Sequence, residues 1–180
     1  MSQEQERYTL WKDILQAVVL AIILATVIRI WLLEPFYIPS PSMEPALYPG
    51  DRIIVNKIGY KFWEPERGDV IVFHYPLDPE RDFVKRVIAF EGETIEIRNN
   101  YVYIDGQRLE EPYIPEVVIG DFGPVRVPKG HYFVMGDNRN NSEDSRFASI
   151  GNITKDEIIG KASLRLSPFN FISKLNLKDK

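Results

Sequence analysis

One apolar run, Ile14 to Leu33 (ILQAVVLAIILATVIRIWLL), limits what this chain can fold into more than any other feature. At about 1.5 Å rise per residue, about twenty helical residues span the roughly 30 Å of a bilayer's hydrocarbon. Its polar members are Gln16, Thr26 and Arg29. Arg29 lies close enough to the end for its long side chain to snorkel to the headgroups. Trp11 and Trp31 bracket the run where interfacial aromatics belong. A cleaved secretory signal would be shorter and would end in small residues, whereas Leu33-Glu34-Pro35-Phe36 follows here. A buried core helix is the other alternative. The expectation is a single uncleaved transmembrane anchor over 14–33. Arg7 and Lys12 precede the run and only Arg52 follows it closely. That bias places the tail over 1–13 in the cytoplasm and the rest of the chain on the extracytoplasmic face of the cell membrane.

Past the anchor the pattern changes to short β-branched runs broken by Gly, Pro and Asp, the mark of strands and turns. Strands are expected at Arg52–Lys57, Val70–His74, Phe83–Phe90, Thr94–Arg98, Tyr101–Asp105, Tyr132–Met135 and Ile158–Leu166. Asn99-Asn100 reads as a two-residue hairpin turn. Thr154-x-x-Glu157 reads as a capping box opening a short helical turn. The fold class is therefore mainly β: an all-β sandwich or barrel-like domain over 34–92 and 128–170, with a smaller β-hairpin lobe inserted over 93–127. A tail over 171–180 ends the chain, and Ser167 to Lys180 runs from apolar to basic, a pattern suited to a membrane surface. An apolar content of 44% and 12% aromatics suffice for a core in a chain of 180 residues. The formal charge of −4, 22 basic against 26 acidic residues, argues against a nucleic-acid partner. With no cysteine, disulfides, thiol nucleophiles and zinc–thiolate sites are excluded.

Three segments carry possible chemistry. In Ile38-Pro39-Ser40-Pro41-Ser42-Met43-Glu44-Pro45, Ser42 sits between prolines, shortly after the anchor, where a nucleophile would meet substrates as they leave a membrane. The two histidines, His74 and His131, have no acidic neighbour in sequence, a poor basis for a metal site or a Ser-His-Asp triad, and read as structural. A serine without histidine needs another base, and a lysine serves once burial lowers its pKa. In Phe83-Val84-Lys85-Arg86-Val87-Ile88-Ala89-Phe90, alternation puts Lys85 with Phe83, Val87 and Ala89, and Arg86 with Val84, Ile88 and Phe90. One of the two cations must then stand among apolar side chains, and only lysine can release its proton. An edge strand with protective surface charge is an equal reading of the pattern. The third segment, Met135 to Arg146, is a dense polar loop after an apolar strand: a solvated turn or a hydrogen-bonded network.

Pro39-Ser40-x-Ser42-Met43-x-Pro45, Gly50-Asp51-x-Ile53, Lys85-Arg86-Val87 and Gly136-Asp137-Asn138-Arg139-x-x-Ser142-x-Asp144-Ser145-Arg146 resemble, in order and spacing, the motif boxes of bacterial type I signal peptidases. The first and last boxes are specific, and the likeness runs from the anchor to about Leu166, in the manner of the compact single-anchor members. The resemblance implies Ser42 as nucleophile and Lys85 as general base of a Ser/Lys dyad. It implies oxyanion donors from the Ser42 backbone N–H and the Ser40 hydroxyl. Ser142 would orient the lysine, Asp144 and Arg146 would form a supporting ion pair, and Asp137 would belong to the same network. It further implies exported precursor proteins with signal peptides as substrates, cut after small-x-small sites, and neither cofactor nor metal. Ala46 and Ala89-Phe90-Glu91-Gly92-Glu93 depart from the family's usual residues without touching a reacting group. Two other readings compete: a self-cleaving Ser/Lys repressor-type protease, which is soluble and so at odds with the anchor, and a tethered β-domain that binds other proteins.

Overall fold

The computed structural model describes the backbone of residues 3–166 and 169–172, and side chains for these except 3–9 and 27–31. Helix α1 (Gln3–Trp31) ends two residues before the expected limit of the anchor, and strand β1 (Leu33–Tyr37) begins at once. Pro35 explains the change: a proline tolerates an edge strand but not a helix interior, and among the described strands β1 pairs only with β2 (Arg52–Asn56). Among the described residues, no helix is long and apolar enough to cross a membrane. The side chains of Arg7, Arg29 and Trp31, and residues 173–180 of the tail, lie outside the described residues.

The body is mainly β, as expected. Its large sheet has the order β1-β2-β11-β3-β4-β9-β10, with β12 on β11. The further strands are β3 (Val70–Tyr75), β4 (Asp78–Phe90), β9 (His131–Met135), β10 (Ile153–Thr154), β11 (Ile158–Leu166) and β12 (Phe169–Phe171). The central strand β3 feeds two cores by simple alternation. Val70 and Val72 join Met43, Leu47, Ile53 and Val55 on one face. Ile71 and Phe73 join Val87, Val134, Ile150 and Ile153 on the other.

A smaller sheet, β7-β6-β5-β8, is built from β5 (Thr94–Arg98), β6 (Tyr101–Ile104), β7 (Gln107–Arg108) and β8 (Phe122–Arg126). Asn99 and Asn100, at φ of 48° and 69°, make the two-residue turn between β5 and β6. Ile95, Ile97, Val102 and Val118 share one apolar cluster with Ile88, Phe133 and Met135 of the large sheet. Each such burial contributes about 1.5–3 kcal/mol. The capping box at Thr154 and Glu157 is formed, on a 3₁₀ turn over Lys155–Glu157.

Two departures from expectation bear on the site. Strand β4 starts at Asp78 rather than Phe83, because Asp78 to Asp82 form an exposed extension whose charges mask the strand pattern. Lys85 and Arg86 are both buried, not one of them: Lys85 is 4% exposed and Arg86 0%. Over residues 85–89 every position of this strand is buried, so alternation puts neither residue on a solvent-facing side.

Candidate active site

Ser42 lies on a 3₁₀ turn, Pro41–Met43, opened by the proline whose fixed φ suits the first position of a helical turn. Met43, 1% exposed, plugs this turn into the core, and the Leu47 N–H donates to the Met43 carbonyl at 2.9 Å. The turn is gripped from across the sheet by Asn138, whose backbone N–H donates to the Ser42 carbonyl at 3.1 Å and whose side-chain amide donates to the Pro41 carbonyl at 3.2 Å.

Lys85 arrives from β4. Its Nζ is 2.9 Å from Ser42 Oγ and donates to the Val84 carbonyl at 3.0 Å. Burial lowers its pKa from 10.5 to about 8, against the opposing pull of Asp144, Glu143 and Asp137. Near neutrality a useful fraction of this amine is therefore unprotonated while it touches a hydroxyl. Ser40 Oγ stands 3.4 Å from Ser42 Oγ. The group opens into a cleft of about 560 Å³ with apolar walls at Phe36, Ile38, Met43, Phe83 and Val84.

Ser142 does not bond the lysine. Its Oγ is buried with no hydrogen-bond partner among the described residues. The lysine's bonds go to Ser42 and Val84, while Ser142 is pressed against Gly136, where an added Cβ would fall 2.2 Å from Ser142 Oγ and 2.5 Å from the Ser42 carbonyl oxygen. Only glycine fits at 136.

Asp144, its side chain fully buried, accepts from the Gly136 N–H at 3.0 Å and from Arg146 Nε at 2.8 Å. Asp137 is not part of that pair. It binds Arg86, at 2.7 Å to Nε and 2.5 Å to the terminal nitrogen, with both side chains at 0% exposure. The two ion pairs are joined through Arg139, whose N–H donates to the Asp137 carbonyl and whose carbonyl accepts from Arg146, and through Gly136, which precedes Asp137 and donates to Asp144.

His74 pairs with Asp82 at 2.9 Å and His131 Nδ1 lies 2.8 Å from the Lys129 carbonyl; neither histidine lines the cleft. Among the described residues, no group of three or more His, Cys, Asp or Glu is placed to hold a metal ion. Sequence reasoning passed over Asn138 although it lies inside the quoted Gly-Asp-Asn-Arg box, since an asparagine in a polar loop looks like any other turn residue. It also passed over Glu111, which carries no local signal.

A family model described as signal peptidase, peptidase S26, matches residues 11–167. A probable signal peptidase I-1 of Synechocystis sp. is 46% identical over 164 residues, covering 87% of this chain and 83% of that protein. Signal peptidase I T of Bacillus subtilis is 41% identical over 165 residues, covering 86% and 84%. The crystal structure of a signal peptidase I from Enterococcus faecalis, 33% identical, superposes with a TM-score of 0.50 over 56% of this chain and 98% of that one. With the match running through the Ser42 turn, β4 and the loop after β9 alike, the chain belongs to the signal peptidase family, peptidase S26.

Proposed function

We propose that this serine endopeptidase removes N-terminal signal peptides from exported precursor proteins, with Ser42 as nucleophile and Lys85 as general base. The observation that carries the reading is the 2.9 Å contact between Lys85 Nζ and Ser42 Oγ, made by a lysine that burial inclines toward the neutral amine. Neutral Lys85 takes the Ser42 proton as Oγ attacks the scissile carbonyl. The Ser42 N–H and the Ser40 hydroxyl supply hydrogen bonds to the oxyanion, charge that exists only at and beyond the transition state. The protonated lysine then returns its proton to the leaving amine, and the same base activates water to hydrolyse the acyl-enzyme. Small residues at the first and third positions before the cut suit the Phe36, Ile38, Met43 and Phe83 walls, which crowd the cleft beside Ser42.

In this reading α1 is the membrane anchor and holds the site near the bilayer surface. Two facts support it: the membrane-length run itself, and the exposure of Leu10, Trp11, Leu15, Leu20, Ile22 and Leu24, each 55% or more accessible among the described residues. A tethered binding domain would need the same anchor, but it leaves a buried Lys–Ser contact without a purpose.

The test is cleavage of a purified precursor with an Ala-x-Ala site by the detergent-solubilised protein. Cutting after the second Ala, lost in folded Ser42→Ala and Lys85→Ala variants, supports the peptidase and its dyad. No cutting by the intact folded protein overturns the peptidase, and loss in Ser42→Ala alone overturns Lys85 as base.

A further inference from the structure

We propose that the loop over 109–121, carried by the smaller sheet, is a positioning element for the reaction: Glu111 and Tyr113 hold Arg139 and Arg86, and through them set the 136–146 loop against the Ser42 turn. This rests on the Ser42–Lys85 reading of the site.

The contacts form one path. Arg139 is 1% exposed at its side chain and cannot shed its charge, so it requires a buried anion. Glu111 supplies it with both carboxylate oxygens, one of them 2.6 Å from the guanidinium. The Nε of the same guanidinium donates to the Gly136 carbonyl at 3.0 Å. Gly136 is the residue wedged between Ser142 and the Ser42 carbonyl, and Asn138, two residues on, holds the Ser42 and Pro41 carbonyls. Displacement of Arg139 would therefore be felt at Ser42 within three residues of backbone.

Tyr113 acts in parallel. Its ring lies 4.1 Å from the Arg86 guanidinium carbon, and its hydroxyl donates to Glu111 at 2.9 Å. Burial, and next the charge of Glu111, pushes the Tyr113 phenol up, so it keeps its proton and its role as donor. Arg86 is the neighbour of Lys85 on β4 and the partner of Asp137. A third tie is Asn140, whose side chain accepts from the Ile119 N–H at 2.9 Å and donates to the Val117 carbonyl at 3.1 Å. Residues 139 and 140 are thus pinned to the 109–121 loop while 136 and 138 grip the nucleophile turn. A small misplacement of reacting atoms costs about 100-fold in rate.

The experiment is full-chain Glu111→Ala and Glu111→Gln, with Tyr113→Phe and the Glu111→Ala/Tyr113→Phe double variant, assayed on an Ala-x-Ala precursor after thermal unfolding has established which are folded. Cutting by the unaltered chain and none by Ser42→Ala tests the underlying reading separately. We expect kcat of Glu111→Ala to fall about 30-fold or more with KM within about threefold, since the loss is in placement and not in substrate contact. Glu111→Gln, which keeps the shape and one acceptor, should retain more of kcat than Glu111→Ala. Tyr113→Phe should cost a few-fold alone and nothing further in the double variant, since the hydroxyl acts through Glu111. A folded Glu111→Ala enzyme with unchanged kcat, or a loss carried by KM, overturns the proposal. If Glu111→Ala does not fold, an unchanged kcat in Glu111→Gln overturns it, and failure of both to fold shows a folding element instead.

Discussion

Lys85 is the group whose protonation decides activity in the proposed mechanism, and its setting predicts the pH profile. Burial brings its pKa down to about 8, so the active neutral form is lost as pH falls through that value. The expected kcat/KM rises about tenfold per pH unit up to a bend near pH 8. An acid limb centred at the carboxylate range would remove Lys85 as base. The same depression has a stability consequence of fixed sign. The unfolded chain holds the proton up to about pH 10.5 and the folded one only up to about 8, so burial of the charge destabilises the fold fully below pH 8, and this cost fades as pH rises toward 10.5. A shift of this size corresponds to about 3 kcal/mol. Lys85→Met, inactive, is therefore expected to be more stable than the parent at pH 7 by up to that amount in urea unfolding. The advantage should shrink steadily between pH 8 and 10.5; an advantage independent of pH would show that desolvated charge is not its source.

At the scale of elements, β4 is the member that assembles the site, and Arg86, next to Lys85, defines what holds it. Arg86 and Asp137 join β4 to the loop after β9 with no solvent access to either side chain. Breaking such a pair from one side leaves an uncompensated buried charge, worth about 3–5 kcal/mol, whereas replacing both partners with apolar groups can be near neutral. Arg86→Met alone should destabilise by that amount in urea unfolding, and Arg86→Met/Asp137→Leu should recover most of it. A double variant no better than the single one would mean that Arg86 works chiefly through its bonds to the Gly68 carbonyl and the Tyr113 ring. This pair also marks the limit of what could be read from the chain. The runs that became β2, β3, β5, β6 and β11 were visible because one or both of their faces are apolar and Gly, Pro or Asn bounds them. Strand β8 was invisible: it is short, mostly exposed and contains Gly123 and Pro124. Strand β1 was hidden by the apolar run it continues. In the site, Ser42 and Lys85 could be singled out because Ser42 stands between prolines just past the apolar run and alternation set Lys85 or Arg86 among apolar side chains, while surface charge read equally well on that strand until the motif boxes were taken together. The partners of Asp137 and Arg139 could not, since long-range pairing leaves no periodicity: Glu111 is 28 positions from the arginine it binds.

The whole molecule divides its labour between a helix none of whose described side chains belongs to a core and a β body that holds the three apolar clusters. That separation makes the anchor testable without disturbing the site. Two aspartates one helical turn apart in the middle of the apolar run, Leu20→Asp/Leu24→Asp, would together cost about 6 kcal/mol of membrane insertion, as each charged residue at mid-bilayer costs about 3 kcal/mol. That is enough to reverse the partition of a single span. The parent chain should stay with the membrane pellet after an alkaline carbonate wash, and the double aspartate variant should be released. Because no described side chain of α1 lines the cleft around Ser42 and Lys85, the released protein should cut a short soluble Ala-x-Ala peptide at the parent's rate, within about threefold. It should process a membrane-embedded precursor far more slowly, having lost the concentration that a shared bilayer confers on enzyme and substrate. Release of the unaltered chain by carbonate would sink the anchor. Equal loss on both substrates would show instead that α1 supports the fold of the site, and the exposed apolar flank of that helix would then need a protein partner rather than lipid.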